Sequence, residues 1–133
     1  MAVQLSAAVR NGMLDAIETV IGTSAVLKIR TGAPPANVAT ADSGTVLATL
    51  TLPSDWMGAA AAGVKALAGS WTDASADSAG TAAHFRIYAS DGTTAHIQGT
   101  VAASGADLNV DNVVFAAGQS FTVTSFTLTA GNP

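Results

Sequence analysis

The residues of this chain whose side chains could do acid–base or metal chemistry are few and scattered. His84 and His96 lie in two segments that we predict to pair as a hairpin, with Arg86 on the same face. A metal site usually takes three ligands, often including a carboxylate, and the nearest acid, Asp91, falls in the predicted turn. We therefore interpret the two histidines as solvated or interfacial residues of a sheet.

Two acidic segments imitate the start of a calcium-binding loop. They read DASAD at 73–77 and DLNVD at 107–111. An EF-hand loop also needs Gly at its sixth position and Glu at its twelfth, and neither segment has them. We interpret both as turns, in which Asp and Asn side chains accept hydrogen bonds from nearby backbone N–H groups.

The sequence lacks the common catalytic signatures. It contains no G-x-S-x-G elbow, no P-loop and no G-x-G-x-x-G dinucleotide motif. The single Glu, Glu18, falls on the polar side of a predicted helix, and the Asp residues fall in predicted turns or on that helix. We therefore expect a protein that is not an enzyme and that uses no cofactor and no metal.

Low charge is the most informative feature of the composition. Only 11% of the residues are charged, the net charge is −4, and no Lys, Arg, Asp or Glu follows Asp111. The few, scattered basic residues argue against nucleic-acid binding, and the lack of cysteine excludes disulfides and thiolate zinc sites. No stretch approaches the roughly 20 apolar residues of a membrane span. Because charges keep monomers apart, this composition is typical of a subunit packed against other copies or a partner.

One helix is predicted, over Leu5–Ile21. Apolar residues recur along it at helical spacing, among them Leu5, Val9, Met13 and Ile17. Asn11, Asp15 and Glu18 fall on the opposite side, and Gly22 follows as a C-terminal cap. We expect the helix to cover one end of a sheet with its apolar side; the alternative is an arm that docks on a neighbouring subunit.

The rest of the chain has the alternation and turn spacing of β-strands. We predict strands over 25–31, 45–52, 83–89, 94–101, 108–115 and 120–130, with short strands near 63–68 and 70–74. The predicted fold class is mainly β: one domain over 1–133, with an N-terminal helix (1–22) and a jelly-roll-like antiparallel β-sandwich of about eight strands (23–133). The segment Gly32–Gly44 contains Pro34 and Pro35 and is long for a connector, so it is a candidate contact loop.

The register of the hairpin that contains both histidines can be argued from its turn. A three-residue loop over 90–92, with its Gly in the left-handed conformation, places Phe85 opposite Ile97 and Arg86 opposite His96. This register keeps the apolar and the polar residues on separate faces of the sheet, and a two-residue turn would not.

The final strand has apolar residues on both of its faces. Phe121 and Val123 share one face, whereas Phe126 and Leu128 share the other, which predicts a bulge at Ser125 or a switch between two sheets. The strand is uncharged and free of Pro, so an exposed position would make it a hazard for edge-to-edge pairing, and burial in an oligomer or on a host surface would remove that hazard. The alternative is an ordinary central strand of the sandwich.

Four blocks of the sequence resemble the capsid cement, or decoration, proteins of tailed phages. They are MLDAIETVIGTS (13–24), LKIRTGAPPANVATADSGTVLATLTLPSDW (27–56), HFRIYASDGTTAHIQGTV (84–101) and FTVTSFTLTAGN (121–132). The resemblance implies a jelly-roll domain that binds the outside of an icosahedral shell, bridges neighbouring subunits of the major capsid protein and stabilises the shell. It also implies a homodimer or trimer, made in the bacterial cytoplasm and carried on the outer capsid surface of the virion.

The contact candidates come from the residues and not from the resemblance. For shell binding or self-association they are Leu5, Val9, Met13 and Ile17 on the helix, Pro34 and Pro35 in the loop, and Phe121, Val123, Phe126 and Leu128 on the last strand. Two other functions stay open: a tail or head–tail structural protein, and a carbohydrate-binding β-sandwich. The second needs an exposed aromatic platform, for which Trp56, Trp71 and Tyr88 are the candidates.

Overall fold

The computed structural model describes residues 3–131, which form one helix and ten strands. The helix α1 spans Ala7–Ile21. The strands are β1 (Val26–Arg30), β2 (Val46–Thr51), β3 (Val64–Ala66), β4 (Thr72–Asp73), β5 (Gly80–Thr81), β6 (His84–Tyr88), β7 (Ala95–Ala102), β8 (Leu108–Val110), β9 (Val114–Phe115) and β10 (Phe121–Thr129). The predicted helix and strand segments are confirmed, with the segment 108–115 divided into β8 and β9 and the short β5 added.

Capping residues set the two ends of α1. The Ser6 hydroxyl accepts a hydrogen bond of 3.2 Å from the backbone N–H of Val9, so the helix starts after Ser6 and not at Leu5. At the other end Gly22 has φ +88° and donates its N–H to the Glu18 carbonyl. A left-handed backbone at this position favours glycine, which explains why the helix ends there.

The strands form a curled mixed sheet in the order β2-β1-β6-β7-β8-β10-β3, with β4 also paired to β10 and a separate two-stranded sheet of β5 and β9. This mainly β architecture with one helix is consistent with a jelly-roll-like sandwich. One pairing departs from the antiparallel prediction, because β7 and β8 run parallel over two residue pairs. The Asp107 carboxylate accepts hydrogen bonds from the Thr100 N–H (2.9 Å) and hydroxyl (3.0 Å), which folds the short 103–107 connection back on β7.

Aromatic side chains pack against one another in the core. The Trp71 ring centroid lies 6.1 Å from that of Trp56 and 5.6 Å from that of Phe126, and Phe85 meets Phe126 edge-on at 5.5 Å. The edge-on contact of Phe85 with Phe126 is an arrangement that aromatic quadrupoles favour. Both indole N–H groups donate to backbone carbonyls, with Trp56 bonding to Gly22 at the end of α1. The helix end is therefore tied to the core.

The hairpin of β6 and β7 has a different register from the predicted one. The loop has four residues, because Ala89 donates to the Thr94 carbonyl, and Gly92 is left-handed with φ +69° as predicted. Ile87 pairs with Ile97, and a bulge follows between residues 87 and 88. The predicted pairing of Phe85 with Ile97 is therefore wrong by two residues. Because side chains on a strand alternate with period two, a shift of two leaves the apolar and polar faces unchanged.

Strand β10 lies in the interior of the sheet. It pairs with β8 on one side and with β3 and β4 on the other. The predicted bulge at Ser125 is confirmed, since the register with β8 shifts between Val123 and Ser125. The bulge turns Phe126 back into the core, while Thr124 and Thr127 stay exposed.

Candidate interaction surfaces

The helix α1 packs on the β-domain through its polar residues as well as through Leu14, Ile17 and Ile21, so the prediction that its apolar side faces the sheet is only partly correct. Side-chain oxygens of Asn11, Asp15 and Glu18 accept hydrogen bonds of 2.9–3.0 Å from backbone N–H groups in the segment 57–63. That segment forms only isolated bridges with its neighbours, so several of its N–H groups need other acceptors. The polar side of α1 supplies them.

Lys65 of β3 completes this contact. Its side chain is 2% exposed, and its ammonium group lies 2.8 Å from an Asp15 carboxylate oxygen, 3.3 Å from one of Glu18 and 2.8 Å from the Gly58 carbonyl. Burial alone would lower the pKa of Lys65, but the hydrogen bonds and charges of Asp15 and Glu18 outweigh it and raise that pKa. The hydrogen bond from Lys65 in turn lowers the pKa of Asp15. The helix is therefore docked by ion pairs as well as by apolar packing.

The opposite side of the helix, here called the outer face of α1, is exposed and carries no charged residue, although the Asp15 side chain beside it is 49% exposed. It consists of Ala8, Val9, Gly12, Met13, Ala16 and Val20. The exposed fraction is 72% for Val20, 52% for Met13 and 49% for Val9. Leu14 and Ile21 are buried, so the helix is anchored while much of its apolar surface still faces outward.

A shallow apolar groove of about 320 Å³ runs beside the outer face. It lies between α1 and the first residues of β7, and it is lined by Met13, Ala16, Ile17, Val20, Ile21, His96 and Ile97. Of the four helix residues predicted as contacts, Val9 and Met13 are exposed, whereas Leu5 and Ile17 are half-buried. None of the lining side chains is acidic, and the one titratable group is the His96 imidazole.

The second candidate surface is the loop Gly32–Gly44, which lies over the outer side of β1, β6 and β7. Arg86, 2% exposed, holds it from below. Its guanidinium donates to the Asp42 carboxylate (2.9 Å), to the carbonyls of Asn37 (3.0 Å) and Thr40 (2.8 Å), and to the Gln98 side chain. One buried cation thus fixes three points of the loop.

Further contacts extend this network around Asp42. Arg30 donates to one carboxylate oxygen at 2.9 Å, and the Tyr88 hydroxyl donates to the other at 2.8 Å. Burial would raise the pKa of Asp42, but the hydrogen bond from Tyr88 and the charges of Arg30 and Arg86 outweigh it and lower that pKa. The loop is therefore a pinned surface of small residues, on which Pro34 and Pro35 are half-buried.

We expect acid to loosen this loop. A carboxyl whose folded pKa is depressed adds stability above its ordinary pKa of 3.8, and that stability is lost as the pH falls through the folded pKa. The difference in unfolding free energy between the wild type and Asp42→Asn should therefore be largest near neutral pH and shrink below pH 3.8. Denaturation midpoints measured across this range test it, with Asp55→Asn as the exposed control. A difference that does not change with pH would contradict it.

The two histidines occupy separate environments. His84 is buried and its Nδ1 lies 2.7 Å from the Gly32 carbonyl, whereas His96 is exposed at the edge of the groove. Across residues 3–131 no group of three or more His, Cys, Asp or Glu side chains is placed to hold a metal ion. His96 has no partner on β6, because the register of β6 and β7 shifts between Ile87 and Tyr88.

The first acidic segment that imitates a calcium loop makes a local turn bond, as interpreted from the sequence, since Asp73 accepts from the Ser75 N–H at 2.9 Å. The aspartates of the second segment instead accept from other strands, Asp107 from the Thr100 N–H at 2.9 Å and Asp111 from the Thr122 N–H at 3.1 Å. These bonds order turns and strand ends.

The contact candidates on the last strand are placed mostly in the core. Phe121, Val123 and Phe126 are no more than 4% exposed, and Leu128 is half-buried. As contacts for a shell or a second copy, the three buried residues are corrected to core residues. The physical reason is that β10 is paired on both sides and both of its apolar faces are covered.

The aromatic platform required by the carbohydrate-binding hypothesis is not on the surface of the described chain. Trp56, Trp71 and Tyr88 are each at most 1% exposed. Their rings pack in the core or, for Tyr88, under the pinned loop and within 4.9 Å of the Lys28 ammonium.

Comparisons of the chain with protein-family models, with curated proteins and with solved structures gave no match. Within residues 3–131, no helix has the length and apolarity needed to cross a membrane.

Proposed function

We propose that this chain is a structural virion protein, a capsid cement protein that binds the outside of a phage shell and bridges neighbouring major capsid protein subunits. The observation that carries the proposal is the outer face of α1. A helix whose carboxylates bond to the β-domain and whose Val9, Met13 and Val20 are exposed is suited to an assembly that covers it. The resemblance of four sequence blocks to cement proteins is the reason for proposing a phage shell as this assembly.

The pinned loop Gly32–Gly44 is the surface that we assign to the shell. Arg86 and Arg30 hold it from below, so binding would not have to order it and would lose little conformational entropy. Its exposed residues are small, which allows close packing against another protein. Such contacts are individually weak, and repetition over a lattice would make the whole layer bind firmly.

The low charge of the C-terminal part of the chain supports a structural role. The exposed part of β10 presents Thr124, Ser125, Thr127 and Thr129, and no charged residue lies between Asp111 and the C-terminus. A surface rich in hydroxyl groups can be buried without leaving unpaired charges. We propose a virion location on the outer capsid surface, with the major capsid protein as partner and without a cofactor.

Co-sedimentation with empty mature shells tests the proposal. The wild type is expected to bind saturably and in a fixed ratio to the capsid protein. Ala36→Arg, on the exposed part of the pinned loop, is expected to weaken binding about tenfold, because it places a bulky, strongly hydrated charge in a close contact. Ala74→Arg, on an exposed loop elsewhere, is the matched control and should bind like the wild type.

Three results would count against the cement function or against the surface assigned to it. Absence of shell binding would contradict it outright, and stable rings or trimers in the same sample would indicate a tail or head–tail component instead. Equal loss of binding in Ala36→Arg and Ala74→Arg would contradict the assignment of the pinned loop as the shell surface.

A further inference from the structure

We infer that the groove between α1 and β7 binds an extended, apolar segment of the partner protein, which adds to the open edge of β7 as a further strand. The inference rests on the proposed function, because it names the kind of capsid segment that this chain would hold. It goes beyond that function by adding a second contact site beside the pinned loop Gly32–Gly44.

Most of strand β7 has an open edge. It pairs with β6 along 95–100, but β8 joins its other side only at Val101 and Ala102, and no other described strand pairs there. The Val101 N–H donates to Ala83 on the β6 side, and the backbone groups of successive residues alternate between the two sides of a strand. The N–H and C=O of Gln98 therefore point away from β6, toward the open edge.

The next position on the same side shows how this edge is covered elsewhere. The Thr100 N–H points the same way and donates to the Asp107 carboxylate at 2.9 Å, so a side chain takes the place of a strand there. At Gln98 neither a strand nor a side chain of the described residues takes that place. An unpaired strand edge is a template for another extended chain, whose backbone donors and acceptors have the matching spacing.

The size of the groove fits the side chains of one strand face. Its volume is about 320 Å³, and its helix side runs from Met13 to Ile21, about 12 Å along the helix axis. Side chains on one face of an added strand stand about 7 Å apart. A cavity of about 150 Å³ holds one benzene ring, so the groove has room for about two apolar side chains of such a strand.

Charge selects an uncharged occupant. Apart from the exposed His96 imidazole, the groove is lined by apolar side chains. Asp15 lies at least about 140° around the helix from Met13 and Val20, on the flank where it bonds to Lys65. A charged side chain that entered the groove would lose its water without gaining a partner, whereas an apolar side chain would gain by burial.

The open edge adjoins the loop that we assign to the shell. The Gln98 side chain lies on the outer side of β7, where its amide donates to the Pro35 carbonyl at 2.7 Å and accepts from Arg86 at 2.9 Å. One residue thus links the open edge to the pinned loop, and the two form a continuous surface. A capsid subunit seated on the loop therefore has the edge of β7 within reach of its own extended segments.

Binding of an extended peptide to the full chain, without shells, is the first test. The probe is a hexapeptide of alternating Val and Thr with blocked ends, and its binding is followed by NMR. Saturable binding is expected, with exchange of the Gln98 amide proton slowed about tenfold or more, because that proton becomes hydrogen-bonded. The same peptide with every backbone nitrogen methylated is the matched control. It keeps the side chains but cannot pair with a strand, so it should bind at least about tenfold more weakly.

A variant in the groove tests the side-chain contact. Val20→Glu should weaken peptide binding about tenfold, because it places a carboxylate where an apolar side chain is to be buried. Val20 is 72% exposed, so the substitution removes no core contact. Thr124→Glu, on the exposed side of β10, is the matched control and should bind the peptide like the wild type. Thermal unfolding of both variants checks that they are folded.

Hydrogen exchange on shells separates this inference from the proposed function. Exchange of the segment that contains Gln98, read by mass spectrometry, should slow when the protein is bound to empty shells. Shell binding without this protection would overturn the inference and leave the cement function standing. Absence of saturable peptide binding up to about 1 mM, or equal binding of the methylated peptide, would also overturn it. A protein that binds the peptide at Gln98 but ignores shells would do the reverse.

Discussion

Replacement of Arg86 by leucine is expected to lower the free energy of unfolding by about 3 kcal/mol, the lower end of the cost of breaking a buried ion pair. The side chain is 2% exposed and donates to Asp42, to two loop carbonyls and to Gln98. Without it those acceptors lose their donor in a buried site, which is more costly than the loss of an exposed bond. The expected loss lies at the low end because the Asp42 side chain is 35% exposed and water can replace part of the contact.

Urea denaturation gives the free energy, and amide hydrogen exchange over the loop Gly32–Gly44 gives its local stability. Arg86→Leu should speed exchange in the loop more than in β10. Arg86→Lys keeps the charge but loses the bidentate geometry of the guanidinium. Its free energy of unfolding should therefore lie between those of the wild type and Arg86→Leu. Arg10→Leu is the matched control, because Arg10 makes a single bond to the Ala130 carbonyl. Unchanged loop exchange in Arg86→Leu would contradict the role of Arg86 in pinning the loop.

Replacement of Lys65 by methionine is expected to lower the free energy of unfolding by about 2 kcal/mol. Methionine keeps most of the apolar stem but removes the ammonium group, which bonds to Asp15, Glu18 and the Gly58 carbonyl. The two carboxylates would then face each other without a cation between them. Because Asp15 is about half exposed, solvent weakens this repulsion, and the expected loss is smaller than at Arg86.

Circular dichroism during urea unfolding should show the helix signal lost before the β signal in Lys65→Met and together with it in the wild type. The pKa of Lys65 is raised above 10.5, so its contribution is fully present below that pH and is lost as the pH rises through the folded value. Lys28→Met is the matched control, because Lys28 is half-buried and donates only to the Gly92 carbonyl. Coincident helix and β transitions in Lys65→Met would show that the ion pairs do not anchor α1.

Local features of this fold could be predicted from the sequence because their causes are local. Apolar spacing and the Gly22 cap define α1, and alternation with turn residues defines most strands. The bulge in β10 follows from the phase change between Val123 and Phe126, since side chains on a strand alternate strictly. The left-handed Gly92 follows from the residue type.

The register of the hairpin and the side on which α1 docks could not be predicted. The register depends on which of several short turns forms over residues 90–93, and the docking of α1 depends on distant groups. The four-residue loop is stabilised by the Asp91 side chain, which accepts from the N–H groups of Thr93 and Thr94. The polar docking of α1 depends on unpaired N–H groups near Gly63, which only the folded chain brings against the helix. A helical pattern shows which residues share a face of the helix, but it does not show which face packs against the β-domain.

The sequence by itself determined a mainly β domain with one amphipathic helix and few charged residues, because these properties depend on composition and on near neighbours in the chain. Only the tertiary structure decided what surrounds each side chain. It buried Phe121, Val123 and Phe126 beneath paired strands, joined Arg86 to a loop some 45 residues away in sequence, and left Val20 exposed. The physical reason is that burial and pairing depend on every element packed against a residue, and the choice between core and contact surface follows from them.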